Sequence, residues 1–180
     1  MLVQTYGSAI YGIAATTVTI EVHIDKGINF FMVGLPDSAV KESQQRIKTA
    51  IEESGMHWPG KGITINMAPA DIRKEGTAYD LPLAIGILAA SEQLPPESVQ
   101  GYLMMGELSL DGSLREIKGA LPIALQAKDE GFTHIIVPTT NAPEAAMVAG
   151  ITVLKADHLR EVIDHFSNNV YLMSEVINTD

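Results

Sequence analysis

Apolar and polar residues alternate along TTVTIEVHID, residues 16–25, with Val18, Ile20 and Val22 on one side of the chain. A period of two predicts a strand with one buried face. INFFMVG (28–34) predicts a second strand, and the Lys26-Gly27 turn between the two predicts a hairpin. Over LPDSAVKESQQRIKTAIEESG (35–55) the period becomes helical: Val40, Ile47 and Ile51 share a stripe, Asp37 is placed to cap the start, and Gly55 ends it. GITINMAPA (62–70) predicts a third strand, followed by a charged loop at 71–78. Asp80 is expected to cap the next helix, with Pro82 in its first turn, where a missing N–H costs nothing. Leu81, Leu83, Ile85, Ile87 and Leu88 surround that helix on all sides, so it should lie in the centre of the core.

LPPES (94–98) breaks the chain, and GYLMMGELSLDGSLREIKG (101–119) alternates through Asp111-Gly112, a strong hairpin signal. A helix over 120–131, a strand at HIIVP, a capping box from Asn141 to Glu144 and a strand at ITVLKA follow. A helix over DHLREVIDHF closes the pattern, with Leu159, Val162, Ile163 and Phe166 at helical spacing. Residues 167–180 show no clear period and read as a tail or linker. Hairpins followed by alternating helices and strands predict an α+β fold, a two-layer α/β sandwich over residues 1–166.

Composition narrows the function. The chain has 180 residues, 46% apolar and 19% charged, which suits one domain with a substantial core. The longest apolar span, Leu81 to Ala90, is too short to cross a bilayer, and the N-terminus lacks the basic and apolar regions of a signal peptide. The absence of cysteine excludes disulfides, thiolate catalysis and Cys-based zinc sites, and agrees with a cytoplasmic location. A net charge of −10 repels phosphate backbones, which argues against the chain gripping DNA or RNA alone. Lys61, Arg73 and Lys74 could still form a local basic spot.

Each candidate chemistry meets a simpler reading. GMHWPGKG (55–62) matches G-x-x-x-x-G-K, but Gly62 stands where Ser or Thr should bind magnesium, and the segment leaves a helix to enter a strand; it reads as a turn. The five histidines form no compact ligand spacing, and His158 and His165 read as surface residues. Ser109 and Ser113 fall on the expected solvent face of the hairpin, near Lys118 in sequence. Asp71, Glu75 and Asp80 flank Arg73 and Lys74, which reads as an ion-paired loop or a partner contact.

VGLPDSAVKESQQRIKTAIEESG, INMAPADIRKEGTAYDLPLAIGILAAS, GELSLDGSLREIKGALPIALQAKDEGF and IIVPTTNAPEAAMV, with the opening TYGSAIYGI, resemble the N-terminal domain of the YifB/ComM family of magnesium-chelatase-like AAA+ ATPases. The resemblance covers roughly residues 1–166. It implies a fold similar to the Lon proteolytic domain and to GHMP-type kinases. Lon-like peptidases carry a serine at the start of the buried helix and a lysine in the helix after the hairpin. Laid on that pattern, this chain has Leu83 and Ile123 at the two positions, and aliphatic groups can neither attack nor carry a proton.

The resemblance therefore implies a non-catalytic accessory domain without a cofactor or metal of its own. ATP and Mg2+ belong to a downstream AAA+ module, towards which residues 167–180 would lead. The expected partners are that module, neighbouring subunits of a ring, and DNA bound through the full-length protein, in branch migration during recombination or natural transformation; no membrane is expected. The candidate contact surface is Asp71, Arg73, Lys74 and Glu75, with Asp37, Lys41 and Glu42 at the first helix start. The alternatives are a stand-alone protein-interaction module, or a hydrolase with an atypical nucleophile drawn from Ser91, Ser109 and Thr77.

Overall fold

The computed structural model describes residues 1–177. Its backbone is an antiparallel ribbon, β1 (Leu2–Tyr11) and β2 (Ala14–Asp25), paired from Leu2↔His23 to Tyr11↔Ala14. The chain reverses at Gly12, whose φ of 61° lies in the left-handed region that glycine enters without cost. Around this ribbon stand β3 (Phe30–Val33), β4 (Gly62–Ala68), β5 (Tyr102–Met104), β8 (His134–Pro138), β9 (Thr152–Ala156) and β10 (Met173–Ser174), in the order β10-β9-β8-β5-β1-β2-β4-β3. Pairing is parallel from β1 through β5 and β8 to β9, and again between β4 and β3. β6 (Glu107–Leu108) and β7 (Leu114–Arg115) make the separate hairpin that Asp111-Gly112 predicted.

Helices α1 (Ser38–Lys41), α2 (Ser43–Glu53), α3 (Asp80–Ala90), α4 (Ala120–Asp129), α5 (Ala142–Ala145) and α6 (Leu159–Phe166) flank the sheet. Every residue of α3 is buried, which explains why its apolar side chains fill all directions rather than one stripe. α3 packs on the sheet face that carries Thr5 and Val22: a Cβ on Gly86 would lie 2.8 Å from Val22 and 3.3 Å from the Thr5 hydroxyl. Strand alternation puts Tyr6 and Ile10 on the opposite face. There Ile10 lies against Gly119 at the head of α4, and Tyr6 meets Phe132 edge-on at 5.2 Å. Among the described residues no helix is long and apolar enough to cross a membrane.

Several local expectations change. β2 and β3 do not pair; β4 enters between them, antiparallel to β2 and parallel to β3. That register sets Met32 beside Ile65 and Phe30 beside Ile63 on the core face, burial that a two-strand hairpin lacks. The first helix divides at Glu42 into α1 and α2, with Asp37 capping α1 as expected. Tyr79, not Asp80, holds the N-cap position of α3. Asn141 forms no capping box: its side chain bridges the N–H and C=O of Ile117, and Glu144 instead accepts from the Leu121 N–H. His165 is buried, contrary to its surface reading, while His158 caps α6. Within the expected tail of 167–180, Met173 and Ser174 add β10 to the sheet edge, and residues 178–180 lie outside the described residues.

Candidate functional site

The charged loop is fastened to the chain ahead of α1. The Asp37 N–H donates to the Lys74 carbonyl (2.9 Å), and the Lys74 N–H donates to the Leu35 carbonyl (3.0 Å). The crossing requires glycine at position 34, where φ is +103° and a Cβ would sit 2.0 Å from the Met67 carbonyl oxygen. Lys74 is wholly buried, and its Nζ donates to the carbonyls of Gly34 (2.6 Å) and Pro69. Burial pushes this ammonium below the ordinary lysine range, with Asp71 opposing the shift. Lys74 therefore leaves the predicted contact surface and the predicted basic spot; it is an internal tie between two loops.

The rest of the predicted surface divides. Arg73 and Glu75 are exposed and paired at 3.2 Å. One carboxylate oxygen of Asp37 caps Val40 (2.8 Å), and the other accepts from the Gly76 N–H (3.1 Å). Asp37, Arg73 and Glu75 all line one cleft of about 600 Å³, whereas Lys41, Glu42 and Asp71 are exposed outside it. One wall of the cleft is the end of β1, Ser8 to Tyr11, and its floor holds Tyr79, Met105 and Ile117. The Tyr11 hydroxyl donates to the Arg73 carbonyl (2.7 Å), and the Thr77 hydroxyl donates to Glu107 (2.9 Å). Burial first, then the nearby Tyr11, Asp37 and Glu75, push the Tyr79 phenol far above its ordinary range.

Beside this cleft, Asp80 has a different partner from the one expected. Its carboxylate is 1% exposed. It accepts from Arg46 Nε (2.9 Å) and Nη2 (3.0 Å) and from the Leu108 N–H (3.0 Å). One side chain thus ties α2, α3 and the β6–β7 hairpin, and neither Arg73 nor Lys74 touches it. Burial pushes the carboxyl up, opposed by the Arg46 guanidinium and the Leu108 N–H, while Asp80 raises Arg46 in turn. Arg46 was missed in the sequence. The available signal was a lone carboxylate heading an apolar helix, which must find a cation or a donor once buried.

The two positions that the Lon pattern singled out, Leu83 and Ile123, are fully buried. Of the hydroxyls nominated as nucleophiles, Thr77 lines the cleft. Ser91 lies at the far end of α3 and donates to the Ile87 carbonyl (2.8 Å), so it does not share the cleft. Ser109 accepts from Arg115 Nε (2.7 Å).

Residues 20–141 match the protein family described as subunit ChlI of Mg-chelatase. The chain is 48% identical over 155 residues to the YifB protein of Escherichia coli, covering 86% of this chain and 30% of that protein. It is 41% identical over 163 residues to competence protein ComM of Haemophilus influenzae, covering 90% and 32% respectively. Lon protease 2 of Bacillus subtilis is 29% identical over 133 residues, 73% of this chain and 24% of that protease, in keeping with a Lon-like fold. The chain spans about a third of the length of YifB and ComM.

Proposed function

This chain belongs to the family described as subunit ChlI of Mg-chelatase, and from that premise we propose that it is a non-catalytic accessory domain of a longer AAA+ ATPase. In this reading ATP and Mg2+ are handled by a separate module of the full-length protein, which assembles as a ring in the cytoplasm and drives DNA branch migration in recombination or natural transformation. What supports the accessory role is the pair Leu83 and Ile123: both are aliphatic and fully buried, at the positions to which the resemblance assigns the nucleophile and the base of a Lon-like peptidase. The likeness to a protein named for competence supports the DNA process.

The domain's partners are then its own motor module and the neighbouring subunit. Arg73, Glu75, Asp71, Lys41 and Glu42 remain the exposed residues of the contact surface. The test uses the full-length protein with Arg73→Glu, a change at an exposed side chain that leaves the Lys74 tie in place. We expect weaker ring assembly and weaker DNA-stimulated ATP hydrolysis, with ATP binding unchanged. Unaltered assembly and unaltered DNA stimulation would remove this surface from the reading. A full-length protein that neither binds ATP nor responds to DNA would overturn the reading itself.

A further inference from the structure

The floor of the cleft holds a polar atom that nothing in the protein answers. Tyr79 is 2% exposed, its ring lines the cleft, and no protein group among the described residues hydrogen-bonds its hydroxyl. What little of Tyr79 is exposed opens to the cleft, so water or a ligand entering there must supply the partner of its hydroxyl. The neighbouring polar groups are already engaged: the Tyr11 hydroxyl with the Arg73 carbonyl, and the Thr77 hydroxyl with Glu107.

The surroundings decide the kind of ligand that fits. Four carboxylates line the cleft, Asp37, Glu75, Glu107 and Glu116, against two cations, Arg73 and Lys118, and Glu75 already pairs with Arg73. The end of β1 adds one backbone acceptor and one donor. The Ser8 N–H points away from β2 to the Met105 sulfur (3.3 Å), so by strand alternation the Ile10 carbonyl and N–H face the same way. β5 pairs with β1 only at Tyr6, which leaves that edge free. Negative charge thus dominates around an apolar floor of Met105 and Ile117. An anion is disfavoured by this charge balance, and no group of three or more His, Asp or Glu capable of holding a metal ion occurs among the described residues.

We propose that this cleft binds an alkylammonium or alkylguanidinium group, whose N–H groups reach the Tyr79 oxygen and the carboxylate rim while its methylenes lie on Met105 and Ile117. Long cationic side chains and polyamines share this build, an apolar stem with a charged head. The site does not depend on the accessory reading, since it needs neither a motor nor a ring.

The test is an amide NMR titration of the 180-residue chain with agmatine, and with uncharged butylurea as the control. Saturable shifts at Gly76, Thr77 and Tyr79 are expected with agmatine and not with butylurea. Tyr79→Phe removes one hydrogen bond to a charged group and should weaken binding about ten-fold. The exposed Glu116→Gln should weaken it several-fold and is not expected to disturb folding. A blocked arginine peptide that binds more tightly than agmatine would make the natural occupant a partner's side chain. Agmatine or spermidine binding more tightly would make it a free small cation, and both results support the site. Absence of shifts up to about 10 mM agmatine, or equal affinity in wild type and both variants, would overturn it.

Discussion

Replacing Arg46 by methionine keeps the apolar stem of the side chain and strands the carboxylate of Asp80 in the core. Asp80 is 1% exposed and draws two of its three hydrogen bonds from Arg46. Removing one partner of a buried pair costs about 3–5 kcal/mol, because the remaining charge has lost its water and gained nothing. Arg46 is itself 21% exposed, which lets water replace part of the loss and favours the lower end, about 3 kcal/mol. With a urea m-value of about 2 kcal/mol/M, the unfolding midpoint should fall by roughly 1.5 M.

The pH dependence separates this account from simple loss of packing. Burial already raises the folded-state pKa of Asp80 in the wild type, and the guanidinium holds that rise back. Without it the carboxyl rises further, so the folded variant holds a proton that the unfolded chain has released. Stability contributed by such a group is present below the unfolded value, near pH 3.9, and is lost as pH rises through the folded value. The penalty in Arg46→Met should therefore shrink as the solution is acidified. Adding Asp80→Asn, which keeps an acceptor for the Leu108 N–H and removes the charge, should restore about 2 kcal/mol at pH 7. A variant within about 1 kcal/mol of wild type, or one whose pH profile runs parallel to it, would refute the reasoning.

Three further outcomes are expected. Gly34→Ala puts a Cβ 2.0 Å from the Met67 carbonyl at a φ of +103°; the melting temperature should fall, at about 2–4 °C per kcal/mol, by several times that amount. Lys74→Met orphans the Gly34 and Pro69 carbonyls and should cost about 2 kcal/mol at neutral pH. Because the folded pKa of Lys74 is lowered, the unfolded chain binds the extra proton. Wild-type stability therefore gains as pH rises from the folded value towards 10.5, so the gap to the variant should widen there. Leu83→Ser should cost about 2–5 kcal/mol, read by urea unfolding. It should also leave the chain unlabelled by a fluorophosphonate probe, since position 83 is fully buried and α4, with Ile123, packs on the opposite face of the sheet.

Much of the fold was legible because burial leaves a local period. The stripe Val40, Ile47, Ile51 and the all-apolar run after Asp80 each describe a side-chain environment that extends over neighbouring residues; the buried helix formed where expected, while the stripe is shared between two segments, α1 with Val40 and α2 with Ile47 and Ile51. Asp111-Gly112 specified its turn through backbone conformation alone, with Gly112 at a φ of 93°. β1 left no such trace. Its inward residues include Thr5, Gly7 and Ala9, which carry no apolar alternation because α3 approaches too closely for anything larger. A Cβ on Gly7 would meet Met105 at 3.1 Å and Tyr79 at 3.3 Å.

The site divides along the same line. The composition of the charged loop, the capping role of Asp37 and the aliphatic character of Leu83 and Ile123 belong to the sequence, since each concerns a residue's own chemistry or that of its near neighbours. Three things depended on the tertiary structure: that Lys74 turns inward, that Asp80 meets Arg46 rather than Arg73, and that Tyr79 faces a cleft walled by β1. A charged or phenolic side chain carries no periodic mark of its partner. Which partner it meets is decided by desolvation against every group the fold brings within reach, a quantity that exists only once strands distant in the chain have packed.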